Sequence, residues 1–108
     1  MFCTDDAWTD RWVESTSKGS DAGNWVHTAA KFAIDENDKG IKTGTDYRFY
    51  QLSSMFDEFS NKDEDLVFQF SIANEQRLDC GGGYIKLLPA GIDQQNFNGD
   101  SPYKYVIY

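Results

Sequence analysis

Long apolar runs, surplus positive charge, histidine, cysteine and proline are all scarce in this chain, and each scarcity excludes something. No apolar stretch approaches the roughly 20 residues that a membrane helix needs, so no membrane span is expected. Residues 1–8 have neither the basic start nor the apolar centre of a secretory signal. Ten Lys and Arg stand against 18 Asp and Glu, giving a formal charge of −8. With no basic patch to displace counterions from phosphates, nucleic acid is excluded as a partner. The single histidine, His27, lies between Val26 and Thr28 in a strand-like stretch with no nucleophile near it in sequence. Two cysteines, Cys3 and Cys80, permit one internal disulfide at most. Their spacing leaves three alternatives open: a 3–80 bridge, two free thiols, or a partner for Cys80 outside this chain.

What the chain does have is aromatic content. Leu, Ile, Val and Phe number 23 of 108 residues, just above the level at which a charged chain stays disordered. Seventeen Phe, Tyr and Trp residues favour pleated surfaces and large buried areas, which tips the balance to a folded, strand-rich domain. A chain of this length is one domain at most.

The hydrophobic period is two. Residues 65–73 place Leu66, Phe68, Phe70 and Ile72 on one face and Val67, Gln69, Ser71 and Ala73 on the other, which is the strongest strand signal in the chain. Further strands are predicted over 84–88 and 103–108, with weaker ones over 48–52, 11–14 and 25–28. Polar turn clusters fall at 17–23, 35–40, 59–64, 89–93 and 96–102. No stretch shows a sustained helical stripe; 52–59 has room for a helical turn or two. Short strands separated by polar turns point to an all-β sandwich or jelly roll.

The richest segment chemically is Asp79-Cys80-Gly81-Gly82-Gly83-Tyr84-Ile85-Lys86. Three glycines remove every Cβ from one patch of backbone, so a ligand can approach the main chain. Tyr84 and Lys86 follow two residues apart, on one face of a strand. An aromatic ring, a long donor and an open floor suit a polyhydroxylated ligand. The acidic groups at Asp57-Glu58 and Asp63-Glu64-Asp65 could in principle serve a jelly-roll glycoside hydrolase, but their polar turns fit solvated surface charge better, and no enzyme is expected. The run Asp35-Glu36-Asn37-Asp38-Lys39-Gly40 imitates part of an EF-hand loop, with Asp46 at position 12. Lys39 occupies a ligand position and the flanks are not helical, leaving either a looser oxygen site for one calcium ion or a plain polar turn.

The chain resembles the calreticulin and calnexin family of lectin chaperones. The resemblance rests on Asp6-Ala7-Trp8-Thr9-Asp10-Arg11-Trp12, Asp38-Lys39-Gly40-Ile41-Lys42-Thr43, Asp46-Tyr47-Arg48-Phe49-Tyr50, Phe59-Ser60-Asn61-Lys62 and Leu66-Val67-Phe68-Gln69-Phe70. Its most specific part is Glu75-Gln76 followed by Cys80-Gly81-Gly82-Gly83-Tyr84. What it implies is a concanavalin-like jelly-roll β-sandwich, incomplete in this chain, of which these residues form the amino-terminal part. It further implies a calcium-dependent chaperone of the endoplasmic reticulum lumen that holds monoglucosylated N-glycans on unfolded glycoproteins and assists their folding.

Carried over by motif, Tyr84, Lys86 and Tyr103 match glucose-contacting positions, with Gly99 and Asp100 in the accompanying loop. Cys80 matches half of a structural disulfide whose partner is absent from this chain. Main-chain oxygens near Asn37 and Lys39 match a calcium site completed by a carboxylate far downstream. Val106 stands where the family places a sugar-contacting methionine, and Ala73 where it carries a basic or amide residue. The family's proline-rich arm for co-chaperones, its acidic tail, a signal peptide and a retrieval signal have no counterpart in these residues. An inactive truncated remnant is therefore the other alternative, and the isolated chain is expected to be marginally stable.

Overall fold

A computed structural model describes residues 6–107, with the side chains of residues 7–104. Six strands run in chain order: β1 Trp12–Glu14, β2 Trp25–Ala29, β3 Lys39–Thr43, β4 Leu52–Ser54, β5 Ile85–Leu87 and β6 Tyr105–Ile107. Two short 3-10 turns, Asp6–Asp10 and Gly19–Asp21, are the helical elements among the described residues. The strands pair antiparallel as β1 with β4, β2 with β3 and β5 with β6, forming three two-stranded ribbons. A parallel bridge between Ala22 and Phe49 adds a further backbone tie.

The β2–β3 hairpin shows most clearly why the sequence folds locally as it does. Alternation turns Trp25, His27 and Ala29 inward and Val26 and Thr28 outward. Register sets Trp25 against Thr43 and His27 against Ile41. Aromatic rings cover the inner face: Tyr50 meets Trp25 edge-on at 5.3 Å, and Trp8 lies 6.2 Å from the His27 ring. The Tyr50 hydroxyl accepts the Thr45 N–H and donates to the Thr45 carbonyl, each at 2.6 Å. Position 23 must be glycine here, because a Cβ would fall 2.3 Å from the Tyr50 ring.

Several expectations are corrected. Residues 65–73, the strongest strand signal, form no ladder among the described residues. Alternation alone does not make a strand; backbone groups need a paired neighbour, and no strand pairing involves this segment among the described residues. The side-chain pattern nonetheless persists in part: Leu66, Phe68 and Phe70 are 36–45% exposed against 79% for Val67, and the Phe68 and Phe70 rings lie 5.9 Å apart. The helical turns expected over 52–59 are replaced by β4 and an irregular stretch rich in exposed Met55, Phe56 and Phe59. The strand expected over 48–52 sits later in the chain, as β4. β3 was hidden because its two leading residues, Lys39 and Gly40, read as the end of a polar turn.

Burial is thin. No side chain of the described residues is fully buried, and accessible surface totals 9053 Å² where a compact monomer of this mass exposes about 6,100 Å². The Cα radius of gyration, 14.9 Å, likewise exceeds the roughly 13 Å of a compact domain of this length. Large apolar side chains, among them Phe32, Ile34 and Val67, stand in solvent.

Candidate carbohydrate-binding site

β5 begins at Ile85, one residue after the glycine run, so Tyr84 stands at its entrance and Lys86 at its centre, two residues apart. Gly81 adopts φ of +137°, a conformation that side chains resist, and so the bend into β5 depends on glycine there. Gly82 lies beside the Tyr84 hydroxyl, 3.8 Å from where a Cβ would stand, and a Cβ on Gly83 would meet nothing within 4 Å. The open floor read from the sequence is present.

β6 pairs with β5 and brings the segment before it to the same place. Its register sets Val106 opposite Lys86 and Tyr105 opposite Leu87, and the Lys104 N–H extends the ladder to the Leu87 carbonyl at 2.7 Å. That tie brings Tyr103 back to the same end of the ribbon. The Lys86 ammonium lies 4.7 Å from the centre of the Tyr103 ring and 5.9 Å from that of Tyr84, within cation–π reach of both. It also donates to the Gly99 carbonyl at 3.2 Å. Four of the five sugar-site candidates therefore converge on one ammonium. Lysine has three donors, and those not spent on Gly99 remain for a ligand. Tyr84 and Tyr103 are 62% and 48% exposed, so their rings offer faces for stacking.

Asp100, the fifth candidate, belongs to the turn rather than to the cage. Its backbone N–H donates to Asn98 Oδ1 at 2.8 Å, and the Ser101 N–H closes the turn on the Asn98 carbonyl at 3.1 Å.

Two anchors had roles that the sequence did not reveal. Ser15 is 5% exposed and donates through Oγ to the Phe97 carbonyl at 2.6 Å, while Thr16 N–H donates to Gln95 O at 2.7 Å. Ser17 Oγ reaches Phe97 O at 3.1 Å and Gln51 Oε1 at 2.8 Å. Together these bonds fix the loop carrying Gly99 to the end of β1. Nothing in Ser-Thr-Ser announces this, since hydroxyls in a polar turn are ordinary. Asp93 stiffens the same loop: hydrogen bonds from the Asn96 side-chain amide and from the Gln95 N–H hold its carboxyl below the usual aspartate range.

Glu75 and Gln76 form the second anchor. Glu75 Oε1 accepts the Lys31 N–H at 2.6 Å, Oε2 pairs with the Lys42 ammonium, and Gln76 Nε2 donates to Asp46 Oδ1 at 3.0 Å. The Lys42 hydrogen bond, and then that of Lys31, hold the Glu75 carboxyl below the ordinary glutamate range. The dipeptide thus staples the segment before the glycine run onto the β2–β3 hairpin. Its signal was available as a motif, without its role.

The remaining candidates do not join this cage. Cys80 is an exposed free thiol, and Cys3, the other half of the 3–80 alternative, lies outside the described residues. Asn37 and Lys39 belong to the turn into β3, where Asp35 Oδ1 accepts the Asn37 N–H at 2.9 Å and the Asn37 carbonyl accepts the Lys39 N–H at 3.1 Å. The turn is rich in oxygen, the donor type hard cations prefer, but calcium takes six to eight ligands. No group of three or more His, Cys, Asp or Glu side chains suited to a metal ion occurs among the described residues. The carboxylates at 57, 58 and 63–65 stand exposed. No helix of the described residues is long and apolar enough to cross a membrane.

Comparison with known proteins identifies the family and the fold. A family model described as Calreticulin family matches residues 1–107. Calreticulin of Mus musculus is 54% identical over 107 residues, covering 98% of this chain and 26% of the relative. Calreticulin of Oryctolagus cuniculus is 53% identical over 107 residues, covering 98% of this chain and 25% of the relative. The solved T. cruzi calreticulin globular domain matches with a TM-score of 0.64 at 28% identity, over 94% of this chain and 38% of that one. The chain spans about a quarter of the length of these curated relatives. Its fold is that of the calreticulin lectin domain, a concanavalin-like β-sandwich of which it spans a part. By family model and by identity alike, this chain belongs to the calreticulin family.

Proposed function

We propose that this chain forms one wall of the sugar site of a calcium-binding lectin chaperone, which holds monoglucosylated N-glycans on unfolded glycoproteins in the endoplasmic reticulum lumen. The observation that carries the reading is the Lys86 ammonium, held between Tyr84, Tyr103 and the Gly99 carbonyl. The rings stack against apolar sugar faces, the ammonium donates to hydroxyls, and the Gly81 to Gly83 floor admits the ring to the backbone. Each neutral hydrogen bond contributes only about 0.5–1.5 kcal/mol net, so recognition needs several acting together. Binding, not catalysis, is the reading this geometry supports. Residues 1–108 act as the amino-terminal part of that lectin domain.

Calcium belongs to the proposal as a structural ion. The main-chain oxygens of Asn37 and Lys39 would contribute to its shell, and the ion would brace the β2–β3 turn. Membership of the calreticulin family supports both the ion and the lumenal location. The exposed apolar side chains at Met55, Phe56, Phe59 and Val67 support contact with unfolded polypeptide or with further sequence of the same domain.

Calorimetric titration of a glucose-tipped oligomannose tests the reading, in a longer chain carrying the rest of the globular domain. Tyr84→Ala and Lys86→Ala should each weaken binding strongly. Undiminished affinity in both variants would contradict it.

A further inference from the structure

We propose that the Asn98-Gly99 peptide is a self-modifying site, converting to an isoaspartyl linkage at the edge of the Lys86 cage. Six asparagines occur in the chain, and five precede Trp25, Asp38, Lys62, Glu75 and Phe97. Only Asn98 precedes glycine. The side chain of the following residue normally blocks attack of its own backbone nitrogen on the asparagine amide, and at Gly99 that block is missing. Gly99 is exposed, a Cβ there would meet nothing within 4 Å, and its N–H donates to no acceptor among the described residues.

The turn also engages the Asn98 amide. Asn98 N–H donates to Ser101 Oγ at 3.0 Å, and Asn98 Oδ1 accepts the Asp100 N–H at 2.8 Å. The second bond polarises the side-chain carbonyl towards nucleophilic attack. Base removes the Gly99 proton, the nitrogen bonds to the side-chain carbonyl carbon, and ammonia leaves, closing a cyclic imide. Water then opens either carbonyl, giving an aspartyl or an isoaspartyl residue at position 98. The balance is amide plus water to carboxylic acid plus ammonia, with no oxidant or reductant.

The isoaspartyl product adds a methylene to the backbone and a negative charge directly before the Gly99 carbonyl that accepts from Lys86. Conversion therefore displaces that acceptor and offers the ammonium a carboxylate in its place. The chemistry is independent of whether the cage binds sugar.

The test is incubation of the 108-residue chain at neutral and mildly alkaline pH, natively and in urea, followed by peptide mass spectrometry and isoaspartyl methyltransferase labelling. Conversion at position 98 should outpace that at the other five asparagines, rise with pH and yield mainly the isoaspartyl form. Gly99→Ala should slow it several-fold. Survival of the Asn98 amide in the native chain while it converts in urea would overturn the proposal, as would conversion of Gly99→Ala at the parent rate.

Discussion

The Lys86 ammonium and the Tyr103 ring lie 4.7 Å apart, although 17 positions separate them and they sit on different strands' approaches. Lys86 is inside β5, while Tyr103 precedes β6, and the contact exists because the Lys104 N–H bonds the Leu87 carbonyl one residue further along. Charge, ring and the Gly99 carbonyl thus form a unit that depends on the β5–β6 register.

Removing only the charge tests that unit. Lys86→Met keeps the apolar stem and deletes the ammonium. Hydrogen bonds to charged groups contribute about 1.5–3 kcal/mol, so glycan affinity should fall by about tenfold or more. Titration calorimetry reads the loss, and an unchanged circular dichroism spectrum separates it from unfolding.

Glu75 makes the β2–β3 hairpin acid-sensitive. Its carboxyl is depressed by the Lys42 hydrogen bond and then by the Lys31 N–H, so the folded state prefers the ionised form. The stability this contributes is present above the ordinary glutamate pKa and is lost as pH falls through the lower, folded value. Protection of β2 and β3 amides, taken relative to their intrinsic exchange rate at each pH, should fall over that acid window in the parent. Glu75→Gln should show several-fold lower protection at neutral pH and no further loss on acidification.

Gly81 should not tolerate a side chain. Its φ of +137° is accessible to glycine and costs other residues about 1–3 kcal/mol. Gly81→Ala should lower the melting temperature of a longer chain carrying the whole globular domain, and weaken glycan binding through displacement of Tyr84. Gly83→Ala, with nothing near its Cβ, should cost less in stability.

The isolated 108-residue chain should unfold without a sharp transition. No side chain of the described residues is fully buried, and the exposed area exceeds that of a compact monomer by half again. Scanning calorimetry should show a broad, weak endotherm, and dye binding should report exposed apolar surface at neutral pH.

How far the sequence reached depended on how local each feature was. The glycine floor and the Tyr84-Lys86 face were readable because a strand's period of two acts over three residues. That Tyr103 and Gly99 join them came from resemblance, since their meeting depends on a ladder between distant segments. Residues 65–73 misled because alternation reports which side chains share a face and not whether a neighbouring backbone is there to pair. β3 was missed for the opposite reason: Lys39 and Gly40 have poor strand propensity, and pairing with Thr28 and Ala29 overrides it. The roles of the Ser15 and Glu75 anchors were not readable, because each works by reaching backbone groups far along the chain.

The central claim is that Lys86, Tyr84 and Tyr103 read a terminal glucose. Its most direct measurement compares glucose-capped with glucose-trimmed oligomannose by calorimetry, in the parent and in Lys86→Ala, using a chain that carries the whole globular domain. The account predicts that the parent strongly prefers the capped glycan and that Lys86→Ala binds both equally weakly. A preference for the capped glycan that survives intact in Lys86→Ala would contradict it.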